Sequence, residues 1–229
     1  RSLNGYGSTP PLDTNNPTKG RPTDPIAFTS RVDQDQWQLG TYLQDQIRYD
    51  AWTLTAGARY DWVSTDTDNT DLTTGARDTV SQKDKEFSGR IGLTYETDFG
   101  LAPYISYSTA FSPNAGLNRE TNQPFKPTES QQEEVGVKYL LPNSNTMVTA
   151  ALFNIDQKNS LYYEVVNLPS GPANIQVQRG KVRSRGLELE ANTSLDNGIS
   201  LVASYTYTDI KITEGPADTV GNYVSSVPR

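Results

Sequence analysis

The stretch Trp52-Thr-Leu-Thr-Ala-Gly-Ala-Arg-Tyr-Asp-Trp62 decides the fold. Trp52, Leu54, Ala56, Ala58, Tyr60 and Trp62 share one parity, while Thr53, Thr55, Gly57, Arg59 and Asp61 share the other. Successive side chains of a strand point to opposite faces, so this run predicts a strand with one greasy side and one wet side. A helix would need apolar residues three and four apart, which the run lacks. Just upstream, Trp37, Leu39, Leu43, Ile47 and Tyr49 alternate with Gln36, Gln38, Gln44, Gln46 and Arg48. Only the turn-forming pair Asp50-Ala51 separates the two runs, which makes them a hairpin.

The period of two recurs down the chain. Phe87, Ile91, Leu93, Tyr95 and Phe99 oppose Ser88, Arg90, Thr94, Glu96 and Asp98, and Leu101, Ile105, Tyr107 and Phe111 follow. Val135, Val137, Tyr139 and Leu141 oppose Glu134, Gly136 and Lys138. Leu187, Leu189 and Ala191 oppose Glu188, Glu190 and Asn192. Ile199, Leu201, Ala203, Tyr205 and Tyr207 oppose Ser200, Ser204, Thr206 and Thr208. The run from Met147 to Ile155 is apolar on both sides, so its faces stay unassigned, and a strand near Leu161 to Val166 is short.

Connection lengths discriminate between all-β architectures. Short turns are expected at Asp50-Ala51, Asp98–Gly100, Pro142–Asn145 and Asp196–Gly198. Long polar segments lie between them at about 64–84, 112–128 and 157–178, and another begins near 213. Strict alternation of short and long is what an outer-membrane barrel requires, with tight turns on one side of the membrane and long loops on the other. Trp52, Trp62, Tyr107, Phe111 and Tyr207 fall near strand ends, where aromatic girdles belong. A soluble β-sandwich with a hydrophobic inner face is the alternative that pattern alone leaves open. Residues 1–34, punctuated by Gly5, Gly7, Pro10, Pro11, Pro17 and Pro25, read as a long extracellular loop or disordered lead-in, and 35–229 as barrel.

Composition agrees with a membrane wall. Hydrophobic residues are only 34% of the chain, low for a soluble core, yet 13 Tyr, 6 Phe and 3 Trp are too many for a disordered one. A barrel strand shows one face to lipid and one to a polar lumen, so its average is hydrophilic. A net charge of −7 argues against nucleic acid as a partner. The absence of histidine and cysteine removes the usual general base, the Ser-His-Asp and Cys-His nucleophiles and thiolate metal sites, so no enzyme is read here. No apolar run is long enough for a membrane helix, and the opening residues lack the apolar centre of a signal peptide, so the chain reads as a fragment.

Six stretches, in order, resemble TonB-dependent ferric-siderophore receptors, above all the ferrichrome and hydroxamate branch. They are Gly40–Gln46, Leu54–Asp61, Pro103–Ser108 running to Phe111-Ser-Pro113, Glu134–Tyr139, Arg183–Glu190 and Ser204–Asp209. The resemblance spans about residue 35 to the end, where Val227-Pro228 resembles the start of a further strand. It implies an all-β fold, part of a 22-stranded antiparallel transmembrane barrel closed over a plug, with about eight or nine strands present and the plug absent. It further implies uptake of a ferric siderophore across the bacterial outer membrane, with no cofactor of the protein's own. TonB would act through the missing plug, and outer-membrane lipid and lipopolysaccharide would surround the wall. A passive porin or structural barrel is the competing function.

Few motifs point elsewhere. Asp66-Thr-Asp-Asn-Thr-Asp71 is acidic, but an EF-hand loop would need Gly and Glu where Asp71 and Arg77 stand, so it reads as a solvated loop. Glu188 and Glu190 share a face and read as lumen wall rather than an acid–base pair. In receptors of this kind, aromatic rings on extracellular loops and upper strand ends offer flat contact to a neutral chelate. The candidates here are Tyr6, Phe28, Phe111, Phe125, Tyr162 and Tyr163.

Overall fold

The computed structural model describes residues 2–6, 27–118, 121, 123–168, 171–195 and 198–224. Every regular element among them is a strand: β1 Ser2–Tyr6, β2 Ala27–Tyr49, β3 Trp52–Asp71, β4 Arg77–Tyr95, β5 Leu101–Ser112, β6 Leu117–Asn118, β7 Gln123–Pro124, β8 Thr128–Leu140, β9 Thr146–Leu168, β10 Gly171–Ser194 and β11 Ser200–Glu214. Nine of them form one sheet in the order β1-β2-β3-β4-β5-β8-β9-β10-β11, and β6 pairs with β7 separately. Sequential neighbours pair throughout the large sheet, so it is an up-and-down meander of the expected strand number. The chain divides into two units, residues 1–38 with 63–83 and residues 39–62 with 84–229.

In the second unit, register turns the parity of single strands into rows across the sheet. One row runs Ile105, Val135, Leu152, Leu187, Tyr207. The next runs Pro103, Val137, Ala150, Leu189, Tyr205, and a third Leu101, Tyr139, Val148, Ala191, Ala203. These rows resolve the ambiguous run in β9, placing Val148, Ala150 and Leu152 on the apolar face and Thr149, Ala151 and Phe153 on the other. The neighbours decide it, because β9 taken alone is apolar on both sides.

The apolar face is not a core. Leu152 is 57% exposed and Tyr205 58%. Among the described residues the buried hydrophobic side chains are only Val63, Val80, Phe125, Ala151, Ile175 and Val177. A soluble sandwich would bury the apolar face, so this distribution opposes that reading. Aromatic residues border the band. Trp52 meets Tyr95 with ring centroids 4.7 Å apart, and Tyr60 meets Trp62 at 4.7 Å. From Trp52 to Trp62 a strand rises about 33 Å along its axis. At a tilt near 45° that is about 23 Å, close to the ~25 Å apolar band of outer-membrane barrels.

The short turns fall where expected, and each carries a left-handed residue: Asp50, Gly100, Asn143 and Gly198. The opposite ends differ from expectation. Most of the polar segments at 64–84 and 157–178 is paired strand rather than loop, since β3 runs to Asp71, β4 starts at Arg77, and β9 and β10 pair up to Leu168 and Gly171. Polar residues stand on both faces there, even where one face is buried, while β-branched Thr and Val keep the backbone extended. After β11, Asn222 to Val224 returns against Ile210 to Ile212, so that connection is short too. Among the described residues the long crossing is the one between β5 and β8, which carries the short β6–β7 pair.

The first unit holds a small buried face of Val63, Thr65 and Thr67 from β3 with Val80 and Gln82 from β4. β1 pairs antiparallel with β2 from Ser2 opposite Val32 to Tyr6 opposite Ala27, with a shift at Asn4/Gly5. The boundary read at residue 35 therefore lies inside β2. The β3–β4 turn is capped by Asp71, whose Oδ1 accepts the Thr73 amide at 2.7 Å and the Thr74 amide at 3.0 Å. Those two amides, Thr74 first, hold its carboxyl below the usual carboxylate range.

Candidate functional site

Two regions carry polar chemistry: the face opposite the apolar rows, and the end away from the short turns. On the opposite face, glycines make room for long side chains of the neighbouring strand. A Cβ on Gly40 would stand 1.9 Å from the Arg59 guanidinium, and one on Gly136 would stand 2.7 Å from the Tyr104 ring. Arg59 lies flat against β2 and grips the fully buried Asp61 twice, Nε to Oδ2 and Nη2 to Oδ1, each at 2.7 Å. Tyr104 donates its hydroxyl to Glu134 at 2.7 Å, Gln132 donates to the other Glu134 oxygen at 2.9 Å, and Lys138 sits 5.3 Å from the Tyr104 ring centre. Arg48 reaches Glu96 and Arg90 reaches Gln44, both at 2.6 Å.

Both signs stand on this face, with Asp61 beside Arg59 on β3 and Lys138 on the same strand as Glu134. Arg48, Arg59 and Arg90 come from β2–β4, whereas Glu134, Glu188 and Glu190 come from β8 and β10. Glu188 and Glu190 stand two residues apart on one face of β10.

On the apolar side, the greasy rows end abruptly. The row above Ile105–Tyr207 runs Tyr107, Glu133, Asn154, Arg185, Asp209, and the next Thr109, Gln131, Asp156, Arg183, Lys211. Arg183 bonds Asp156 at 2.6 Å, Lys158 bonds Glu129 at 2.9 Å and Arg185 donates to Asn154 at 2.9 Å. Exposed pairs of this kind contribute at most about 1 kcal/mol each, so they mark the water boundary rather than hold the sheet.

The six aromatic candidates scatter. Phe111 opposes Glu129 on the apolar parity, in the charged rim and half-buried. Phe125 is 2% exposed, its ring taken up in packing within 113–127. Tyr162 pairs with the fully buried Val177 and is half-buried, while Tyr163 pairs with Gln176 and is 70% exposed. Phe28, in the first unit, opposes Gly5 and is half exposed. Tyr6 pairs through its backbone with Ala27, and its side chain lies outside the described residues.

Sequence reading missed the residues that tie the backbone beside Phe125 to β9 and β10. Gln178, next to Val177, bonds the backbone of Lys126, next to Phe125. Asn159 and Asn114 add bonds to Pro127 and Lys126. Lone amides reaching across loops leave no period in sequence. The signal that existed was Asn159 itself, a residue type that tolerates the left-handed turn it adopts.

The comparisons with known proteins align with this architecture. The family described as TonB dependent receptor-like, beta-barrel matches residues 2–229. The ferrioxamine B receptor of Salmonella typhimurium strain SL1344 is 38% identical over 225 residues, covering 98% of this chain and 30% of that protein. The ferrichrome outer membrane transporter/phage receptor of Escherichia coli K12 is 37% identical over 201 residues, 87% of this chain and 25% of that protein. The siderophore receptor PiuA from Acinetobacter baumannii superposes with a TM-score of 0.67 at 26% identity, over 86% of this chain and 29% of that one. The chain thus spans less than a third of the length of these relatives.

Proposed function

This chain belongs to the TonB-dependent receptor β-barrel family, and from that premise we propose that the whole protein takes up ferric siderophores of hydroxamate type through the outer membrane. The observation that carries the reading is the ordered wall of β5 and β8–β11. Three apolar rows end at a charged rim on one face, and paired polar and charged side chains line the other. Lipid takes the first face and the lumen the second, with Glu134, Glu188 and Glu190 turned toward a plug or lumen water. The apolar height matches an outer-membrane bilayer and the lipopolysaccharide headgroups meet the rim. Energy reaches the ligand through TonB and a plug contributed by other parts of the protein, while residues 35–229 supply wall and 1–34 lead into it.

Of the six aromatic residues, Tyr163 and Phe28 have the free ring area to touch a chelate, with Tyr162 and Tyr6 beside them in sequence or strand. Phe111 and Phe125 serve the rim and the loop interior. The ferric siderophore is cargo rather than a resident cofactor. The relatives named above are receptors and transporters, and no catalysis is proposed.

Growth under iron limitation tests this directly. A strain lacking the full-length gene should lose growth on ferrioxamine B or ferrichrome supplied as sole siderophore, and the intact gene should restore it. Unimpaired uptake of every hydroxamate would sink the proposal and favour a passive barrel.

A further inference from the structure

The segment 123–127, between β5 and β8, is fastened to β9–β10 by two side-chain amides, of which Gln178 makes the larger number of bonds. The Lys126 N–H donates to Gln178 Oε1 at 2.7 Å, and Gln178 Nε2 donates back to the Lys126 carbonyl at 2.5 Å. The second Nε2 hydrogen goes to the Asn159 carbonyl at 3.0 Å. Gln178 therefore uses both donors and its acceptor, and it pairs with Lys126 as a peptide unit in a neighbouring strand would. Asn159, held at φ 59°, donates to the Pro127 carbonyl at 3.0 Å, and Asn114 donates to the Lys126 carbonyl at 2.8 Å. Register shifts at Gln178/Gly180 and Gly180/Val182 kink β10 at this point. Beside the clamped residues in sequence stand three buried apolar side chains, Val177 at 0%, Phe125 at 2% and Ile175 at 3% exposure.

From this arrangement we infer that Gln178 is a positioning residue: it locks the segment 123–127 to β9 and β10, so that the ligand meets one assembled surface. Tyr162 and Tyr163 lie on that extension, opposite Val177 and Gln176. A side-chain clamp among solvent-exposed backbone is weaker than a ladder of strand pairs and opens locally, which couples loop order to occupancy. Ligand bound to the assembled surface closes the clamp, and the closed clamp strengthens binding by the same factor. The coupling to ligand rests on the uptake reading, whereas the clamp itself does not.

The test uses the full-length receptor in its membrane with Val177→Cys as the sole thiol: residues 1–229 hold no cysteine, and any elsewhere is replaced by serine. Gln178→Met keeps length and packing but removes all three bonds. Maleimide labelling of Val177→Cys should become about tenfold faster in that background. Asn159→Gly, which keeps the left-handed backbone without its amide, should accelerate it by a smaller factor. Saturating ferrioxamine B should return the Gln178→Met rate toward the parent rate, and its affinity for the Gln178→Met receptor should be about tenfold weaker. Equal labelling rates with and without Gln178 would overturn the clamp. Faster labelling with unchanged affinity would overturn the positioning role. Faster labelling in a receptor that binds no hydroxamate would support the clamp and remove the uptake reading instead.

Discussion

Replacing Gly186 with alanine is expected to destabilise the barrel by about 3 kcal/mol, the upper end of what overpacking costs in a filled site. Gly186 pairs with Phe153 on one side and Thr208 on the other, in the middle of a continuous three-strand ladder. A Cβ there would stand 2.2 Å from the Tyr207 carbonyl oxygen and 2.5 Å from the Phe153 ring. The ring can rotate away, but the carbonyl belongs to a backbone held by β10 on its paired edge, so β11 would have to move. Unfolding of the full-length protein in detergent, followed by urea titration, measures the loss. Adding Phe153→Ala should recover less than half of it, because the carbonyl clash remains. A Gly186→Ala protein within about 0.5 kcal/mol of the parent would show that β11 is not held as described.

The second large effect compares one charge on two faces. Leu189 lies opposite Ala150 and Tyr205 in the middle apolar row, and Thr149 lies opposite Lys138 and Glu190 at nearly the same height. A lysine near the midplane of a lipid face costs about 2–4 kcal/mol, whereas lumen positions tolerate charge. Leu189→Lys should therefore be destabilising by about that amount, and Thr149→Lys by less than about 1 kcal/mol with Glu190 as its partner. Reversed or equal losses, read from the same urea titration, would mean that the faces are assigned wrongly.

What was legible in the sequence was the wall. Trp52 to Trp62 and Leu187 to Asn192 alternate cleanly because one face of each meets lipid and the other the lumen, and two solvents write a two-letter pattern. Met147 to Ile155 was illegible because Phe153 lies over Gly186 on the lumen side, adding apolar residues to the face that should have been polar. Only register with β8 and β10 separates them. The segments 64–84 and 157–178 misled in the opposite sense. The buried face there is itself polar, so Val63-Ser-Thr-Asp-Thr-Asp, with Val63, Thr65 and Thr67 turned inward, shows little apolar contrast between inside and outside.

The candidate site was harder for a related reason. Ring chemistry marks Phe125 and Tyr163 alike, but what divides them is tertiary packing: one is buried and the other is 70% exposed. Gln178 and Asn159 act through single long-range bonds, which no local window contains. The chemistry of the ligand is written in neither periodicity nor composition, and it enters through relatedness.

The central claim is that one chain face meets lipid and the other the lumen. Single cysteines placed along β10 from Leu187 to Asn192 in the full-length receptor, each carrying a fluorophore, test it most directly. Probes at 187, 189 and 191 should be quenched by nitroxide lipids and spared by an aqueous quencher, and probes at 188, 190 and 192 should show the reverse. Uniform aqueous quenching along the strand, with no period of two, would contradict the account.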